Sequence, residues 1–261
     1  MTRSFSTALV IGVTLTVMAT LLDAQQSTPG RGVHDGRPAD NLPLTSEEVA
    51  KPHRLPEIGK WMIDRNGTVA HWLGEIYEGK HLHEPINVIL VDAGALSADN
   101  ARQRLVEAAT TAGYPIRFGH SAGYRGYIAG EFYAQLPAGR DDAFSNRVFE
   151  LSNNHGRIFG PHAMDGAYVF IGAFSREAVD LLRWPGHRFA SFNQARDDFA
   201  RDLDRQTVFK STGFVALDNA LVGNANVTTG GSRWTGRAAA CEKPLAQSRY
   251  RQAMPCSRSS P

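Results

Sequence analysis

The chain has 261 residues, 42% of them hydrophobic and 21% charged, with a formal net charge of +2. That composition suits one soluble globular domain with loose ends. So balanced a charge argues against a nucleic-acid partner, which asks for a concentrated basic face.

In chain order, Arg3 precedes a charge-free, mostly apolar stretch from Ser4 to Leu22, and Leu22-Asp23-Ala24 offers a small residue at a cleavage position. This reads as a signal peptide over residues 1–24. An uncleaved anchor is the rival, but the stretch is short for a span and diluted by Thr and Ser. Cleavage removes Arg3 and Asp23, so the formal charge stays at +2. The expected location is periplasmic or secreted, with no membrane span after cleavage. In such an oxidising compartment Cys241 and Cys256 would close a loop of about 15 residues, worth roughly 3 kcal/mol in the chain-entropy model. The alternative is two free thiols in a loose tail.

Residues 25–56, punctuated by Pro29, Pro38, Pro43, Pro52 and Pro56, read as a disordered linker. Folded structure is expected from residue 57 to 222, and an irregular tail over 223–261. Val69, Trp72, Leu73 and Ile76 have helical spacing. Ile86 to Val91 is a near-continuous apolar run, as in a buried strand. A helix follows, with Ser97 as N-cap, an apolar stripe of Ala98, Ala101, Leu105, Ala108 and Ala112, and Gly113 at the C-terminal cap. Pro115 to Phe118 returns as a short strand, completing a β-α-β start.

Gly119 to Arg147 is rich in Gly and Tyr and reads as an elaborated loop. Strands are expected at Val148–Leu151, Arg157–Phe159 and Tyr168–Ala173. A helix is expected from Ser175, with Phe174 and Val179 as its hydrophobic staple and Glu177 in its first turn. Another runs from about Asn193 to Thr207, and a last strand covers Phe214 to Leu217. The fold class is therefore α+β: a single domain with a mixed β-sheet, a β-α-β start and two later helices. Asn66-Gly67-Thr68 and Asn226-Val227-Thr228 match the glycosylation pattern, which matters only in a eukaryotic secretory pathway.

Three motifs bear on chemistry. If residues 155 to 159 are extended, the two-residue period puts His155, Arg157 and Phe159 on one face. A guanidinium offers a planar fork to phosphate or carboxylate, and histidine changes charge near neutral pH, so the pair suits a small anionic ligand. The bland alternative hydrogen-bonds His155 structurally and pairs Arg157 with an acid such as Glu150. Gly119-His120-Ser121-Ala122-Gly123 matches the nucleophile-elbow pattern literally, which makes Ser121 the nucleophile of a serine esterase in the alternative reading. Its context is poor, because Tyr124 to Gly130 carries two glycines where a helix should form. His81-Leu82-His83 is half of a zinc site with no partner in view. No metal and no cofactor are therefore expected.

Taken together, Glu84 to Val91, Ala112-Gly113-Tyr114, Asn154 to Phe159, Tyr168 to Ala173, and His187-Arg188 ahead of Ala195-Arg196-Asp197 resemble the LssY C-terminal domain family over roughly residues 80–210. That family shows a His-x-Arg motif before a Val-Gly-Ala strand, then a later His and an acidic, Arg-containing helix start. By position the resemblance marks His155, Arg157, His187 and Arg196 as the matching polar residues. Ser191 to Ala195 departs from the family, which tends to be acidic there. With no established activity in the family, the resemblance implies a fold and an envelope-associated module rather than a reaction.

Overall fold

The computed structural model describes residues 44–77, 79–180, 186–219 and 232–237. The residues of the expected signal peptide and of both cysteines lie outside them. Fourteen strands and two α-helices are described, and twelve strands join one mixed sheet. The α+β class with a mixed sheet is as the sequence predicts, and the remaining two strands pair with each other.

The trunk is a hairpin of two long strands, β10 (Asn153–Met164) and β11 (Ala167–Val179), paired antiparallel with Asn153 opposite Glu177, His155 opposite Ser175 and Arg157 opposite Ala173. Each strand is shared along its length. β10 pairs β8 (Glu131–Leu136) near Ile158 and β9 (Asp142–Ser145) near His155. β11 pairs β5 (Val88–Asp92) through residues 168–172 and β12 (His187–Ser191) through 176–179.

Helices α1 (Ala98–Thr111) and α2 (Phe192–Gln206) cover one face of this trunk, where Leu105, Phe199 and Leu203 pack on Val88, Leu90, Ile158, Phe170 and Phe174. The opposite face carries Ile89, Phe159, Val169, Ile171 and Ala173 against Ile58, Met62, Ile86 and Ile128. Alternate residues of β5 enter both cores, which is why its sequence is apolar without alternation. The Ser97 hydroxyl caps α1 by accepting from Asn100 N, and Gly113 takes φ +86° beyond its end, as the sequence predicts.

Several expectations are corrected. Residues 44–56 are not featureless, because β1 (Val49–Ala50) pairs β2 (Ile58–Gly59) and buries Ala50. The segment with helical spacing is β3 (His71–Tyr77), paired with β4 (Lys80–His83), with Gly79 at φ +77° in the connection. A glycine that enters the left-handed region closes the hairpin and overrides four well-spaced apolar residues. The Gly/Tyr-rich stretch contains β7 (Arg125–Ile128), β8 and β9, and Ala129 and Gly130 make a two-residue turn with φ of 50° and 89°. β6 (Ile116–Phe118) follows α1 as expected but pairs β9, not β5.

Phe149 and Glu150, expected within a strand, form a turn. The helix expected from Ser175 is the second half of β11, held by ladders to β10 and β12 on its two sides. Cross-strand pairing on both sides outweighs a local capping signal. Only one helix, α2, therefore follows α1 among the described residues. The expected irregular tail contains β14 (Ser232–Arg237), which runs parallel to β5 and antiparallel to β13 (Phe209–Val215).

Gly156 stands between His155 and Arg157 for a packing reason. A Cβ there would lie 2.4 Å from Cγ of Phe174, whose ring is fully buried and stacked 4.1 Å from Phe199. The ring has no room to retreat. Gly156→Ala is expected to destabilise the fold by roughly 1–3 kcal/mol, read as a lower urea midpoint with an unchanged slope. A midpoint equal to that of the unsubstituted protein would contradict this packing.

Candidate functional site

The polar residues of the trunk converge on its helix-free face. Along β10 the alternation Asn153, His155, Arg157 meets Glu177 and Ser175 of β11, all buried. Glu84, just before β5, His120 from the loop between β6 and β7, and His187 at the start of β12 complete the cluster.

The sheet holds His155 from two sides. Its Nδ1 lies 3.0 Å from Asn153 Oδ1, and the Ser175 hydroxyl is 3.4 Å from its Nε2. Because the amide oxygen can only accept, Nδ1 carries the proton and Nε2 is left as an acceptor. Glu177 sits between two imidazoles, with Oε1 3.6 Å from His155 Nε2 and Oε2 3.1 Å from His187 Nδ1. The second approach lacks hydrogen-bonding alignment, so Glu177 Oε2 remains without a hydrogen-bond partner. The His120 ring stacks on His155 at 4.4 Å, and Phe149 sets its edge against His120 at 5.6 Å and His187 at 4.6 Å.

Arg157 is 4% exposed. Its Nε and Nη2 donate to the Ser121 carbonyl at 3.2 and 2.8 Å, Nη2 also reaches Ser121 Oγ at 3.2 Å, and its guanidinium carbon lies 4.9 Å from the Tyr124 ring centroid. No described carboxylate is within ion-pairing distance, and Nη1 has no acceptor among the described residues.

Burial sets the proton inventory. It pushes Glu84 up to about 7, with Arg157 opposing and Glu177 reinforcing the rise. Burial likewise raises Glu177 to about 7 against the pull of Arg157 and the Asn153 amide. His120 falls to about 4 through burial, then Arg157 and His187. His155 drops well below its ordinary range for the same first reason, with Arg157, His120 and His187 adding to it. His187 is lowered by burial, with Glu150 pulling it back. Near pH 7 the imidazoles are thus neutral and the carboxyls half-protonated.

Of the residues read from the sequence, His155, Arg157 and His187 are brought together. Arg196 is not. It lies on α2 in the helical layer, with its guanidinium on Asp197 and 5.1 Å from the Phe214 ring centroid. Ser121 borders the cluster, but as a brace: its carbonyl and hydroxyl both receive Arg157, and the hydroxyl is 2.9 Å from that of Tyr124. The chain leaves Gly119–Gly123 into strand β7, whereas a nucleophile elbow needs a helix there. His81 and His83 stack on either side of His71 at 4.7 and 4.9 Å. Among the described residues no group of three or more His, Cys, Asp or Glu is arranged to hold a metal ion.

The sequence reading missed Glu84, His120 and Glu177 as site residues. Polar residues at every second position in Asn153-x-His155-x-Arg157 and Ser175-x-Glu177 were the available signal once 175–177 is strand.

No family model matches the chain, and no solved structure matches it. L-aspartate dehydrogenase 2 of Bordetella bronchiseptica (strain ATCC BAA-588 / NCTC 13252 / RB50) is 36% identical over 109 residues, 40% of this chain and 38% of that protein. The chain thus spans well under half the length of this relative.

Glu177 gives a signed pH test. In the unfolded chain it ionises near 4.5, whereas the folded protein holds its proton to about 7. The folded state therefore loses stability as pH rises from 4.5 to 7, and Glu177→Gln removes that loss. The variant is expected to gain roughly 1–3 kcal/mol on the unsubstituted protein between pH 4.5 and 8, measured by urea unfolding at both values. A pH-independent difference would mean that Glu177 is not held protonated.

Proposed function

We propose that the cluster binds a small anionic ligand, phosphate or carboxylate in type, and that the chain is an exported, envelope-associated binding module of the LssY C-terminal kind. The observation that carries this reading is Arg157: a buried guanidinium with no carboxylate in contact and an unused Nη1. A buried charge is costly unless paired, and a bound anion would supply the pairing. The neutral His120 ring beside it, whose Nε2 has no partner, offers an N–H donor in one tautomer without adding charge. The named substrate of the partially matching dehydrogenase, L-aspartate, is itself a carboxylate, which agrees with this ligand class. The esterase reading draws no support from a serine hydroxyl engaged by Arg157 and Tyr124.

Sulfate is the cleanest probe, because its charge is constant from pH 5.5 upward. Its affinity is expected to fall by about tenfold or more between pH 6 and 8.5, as Glu84 and Glu177 ionise beside Arg157. The other groups facing them, His120, His155 and His187, all have lowered pKa values and supply no positive charge in that range. Calorimetric titration checks this, with Arg157→Gln expected to abolish binding while the thermal transition persists. Binding that rises with pH, or that survives the loss of Arg157, would overturn the reading. Treatment with a fluorophosphonate is expected to leave Ser121 unmodified, and a stoichiometric adduct there would restore the esterase.

A further inference from the structure

The atoms that the fold leaves without partners describe what the ligand must offer. Around Arg157 there are two such places besides its own Nη1, and one further carboxyl. His120 Nε2 is buried and unpartnered. Glu177 Oε2 is buried and unpartnered, although the His187 ring stands 3.1 Å away. Glu84, a residue 7% exposed, adds a second carboxyl that feels both Arg157 and Glu177 and makes no hydrogen bond to any described residue. Nearly all buried polar atoms in folded proteins find partners, so two vacancies in one cluster, beside a second carboxyl with no hydrogen bond, call for a common cause.

A bare anion satisfies only part of this set. It can take Arg157 Nη1 and an imidazole N–H. It cannot satisfy two carboxyl groups, which need a donor when ionised and which repel an anion. The vacancies are thus of two kinds, one asking for negative charge and the other for hydrogen-bond donors with positive charge.

We propose that the ligand of this site is a small molecule carrying both an anionic group and an amino group, the anion held by Arg157 and the ammonium by Glu84 and Glu177. Built on the anion-binding reading above, the inference narrows the substrate class to amino acids or amino-alkyl phosphates. His120, stacked on His155, donates to or accepts from the bridge between the two ends according to its tautomer. Opposite charges at opposite ends also give the site polarity. A dianion or a diamine of the same length fits one end only.

Matched pairs that differ only by CH3 against NH3⁺ test this: propyl phosphate against phosphoethanolamine, and butyrate against β-alanine. Each is titrated calorimetrically into the purified protein at pH 8. The amino member of at least one pair is expected to bind at least about tenfold tighter than its partner, and the pair that shows it identifies phosphate or carboxylate as the anion. In Glu177→Gln and Glu84→Gln the preference is expected to shrink toward onefold, while affinity for the CH3 member holds or improves. Equal affinity within both pairs would overturn this inference and leave the anion reading standing. Failure of all four compounds to bind would overturn both. A preference that persists undiminished in either Gln variant would also overturn it, so one folded variant suffices for that comparison.

Discussion

Pairing of β10 with β11 decides which side chains meet. With Asn153 opposite Glu177 and His155 opposite Ser175, the pleat sends Asn153, His155, Arg157, Ser175 and Glu177 to one face. Gly156, Ile158, Phe170 and Phe174 go to the other, under the two helices. A slip of β11 by one residue would put Ser175 and Glu177 beneath α2 and Phe174 against the polar loop. Register, fold and site are one constraint, and Gly156 is its tightest point because Phe174 covers the place where a side chain would stand.

From that register the electrostatics follow. The sheet buries one cation and two carboxyls together with three imidazoles, and it offers Arg157 a backbone carbonyl rather than a carboxylate as its direct partner. Desolvation then dominates every shift in the cluster: it raises Glu84 and Glu177 and lowers His120, His155 and His187. An arginine in ion-pair contact with Glu84 would have released these strains without a ligand. That the fold keeps them apart is what gives the cluster unused donors and acceptors and a charge balance that changes near neutral pH. Such unspent polar capacity is more characteristic of binding and catalytic sites than of structural networks.

Much of the local structure was legible in the sequence where a single mechanism ruled. The Ser97 cap, the stripe on α1, the left-handed Gly113 and the apolar run of β5 each carry their own signal, and each is found in place. Legibility failed where tertiary pairing overruled local preference. Ser175 to Val179 looks like a capped helix start, yet strands on both flanks hold it extended. Glycines at 126 and 130 suggest loop, yet Gly126 lies in β7, where a Cβ would come within 2.7 Å of Phe159 Cβ. Half of the site was readable because His155 and Arg157 sit two apart. His120, Glu84 and Glu177 come from distant segments and meet them only through the sheet.

The most direct test is a crystal structure of the protein grown with sulfate near pH 6. A tetrahedral anion is expected within hydrogen-bonding distance of Arg157 Nη1, with Ser121 still accepting from Nε and Nη2. A guanidinium in direct contact with the Glu84 or Glu177 carboxylate, with nothing between them, would contradict it and make the cluster a closed structural network.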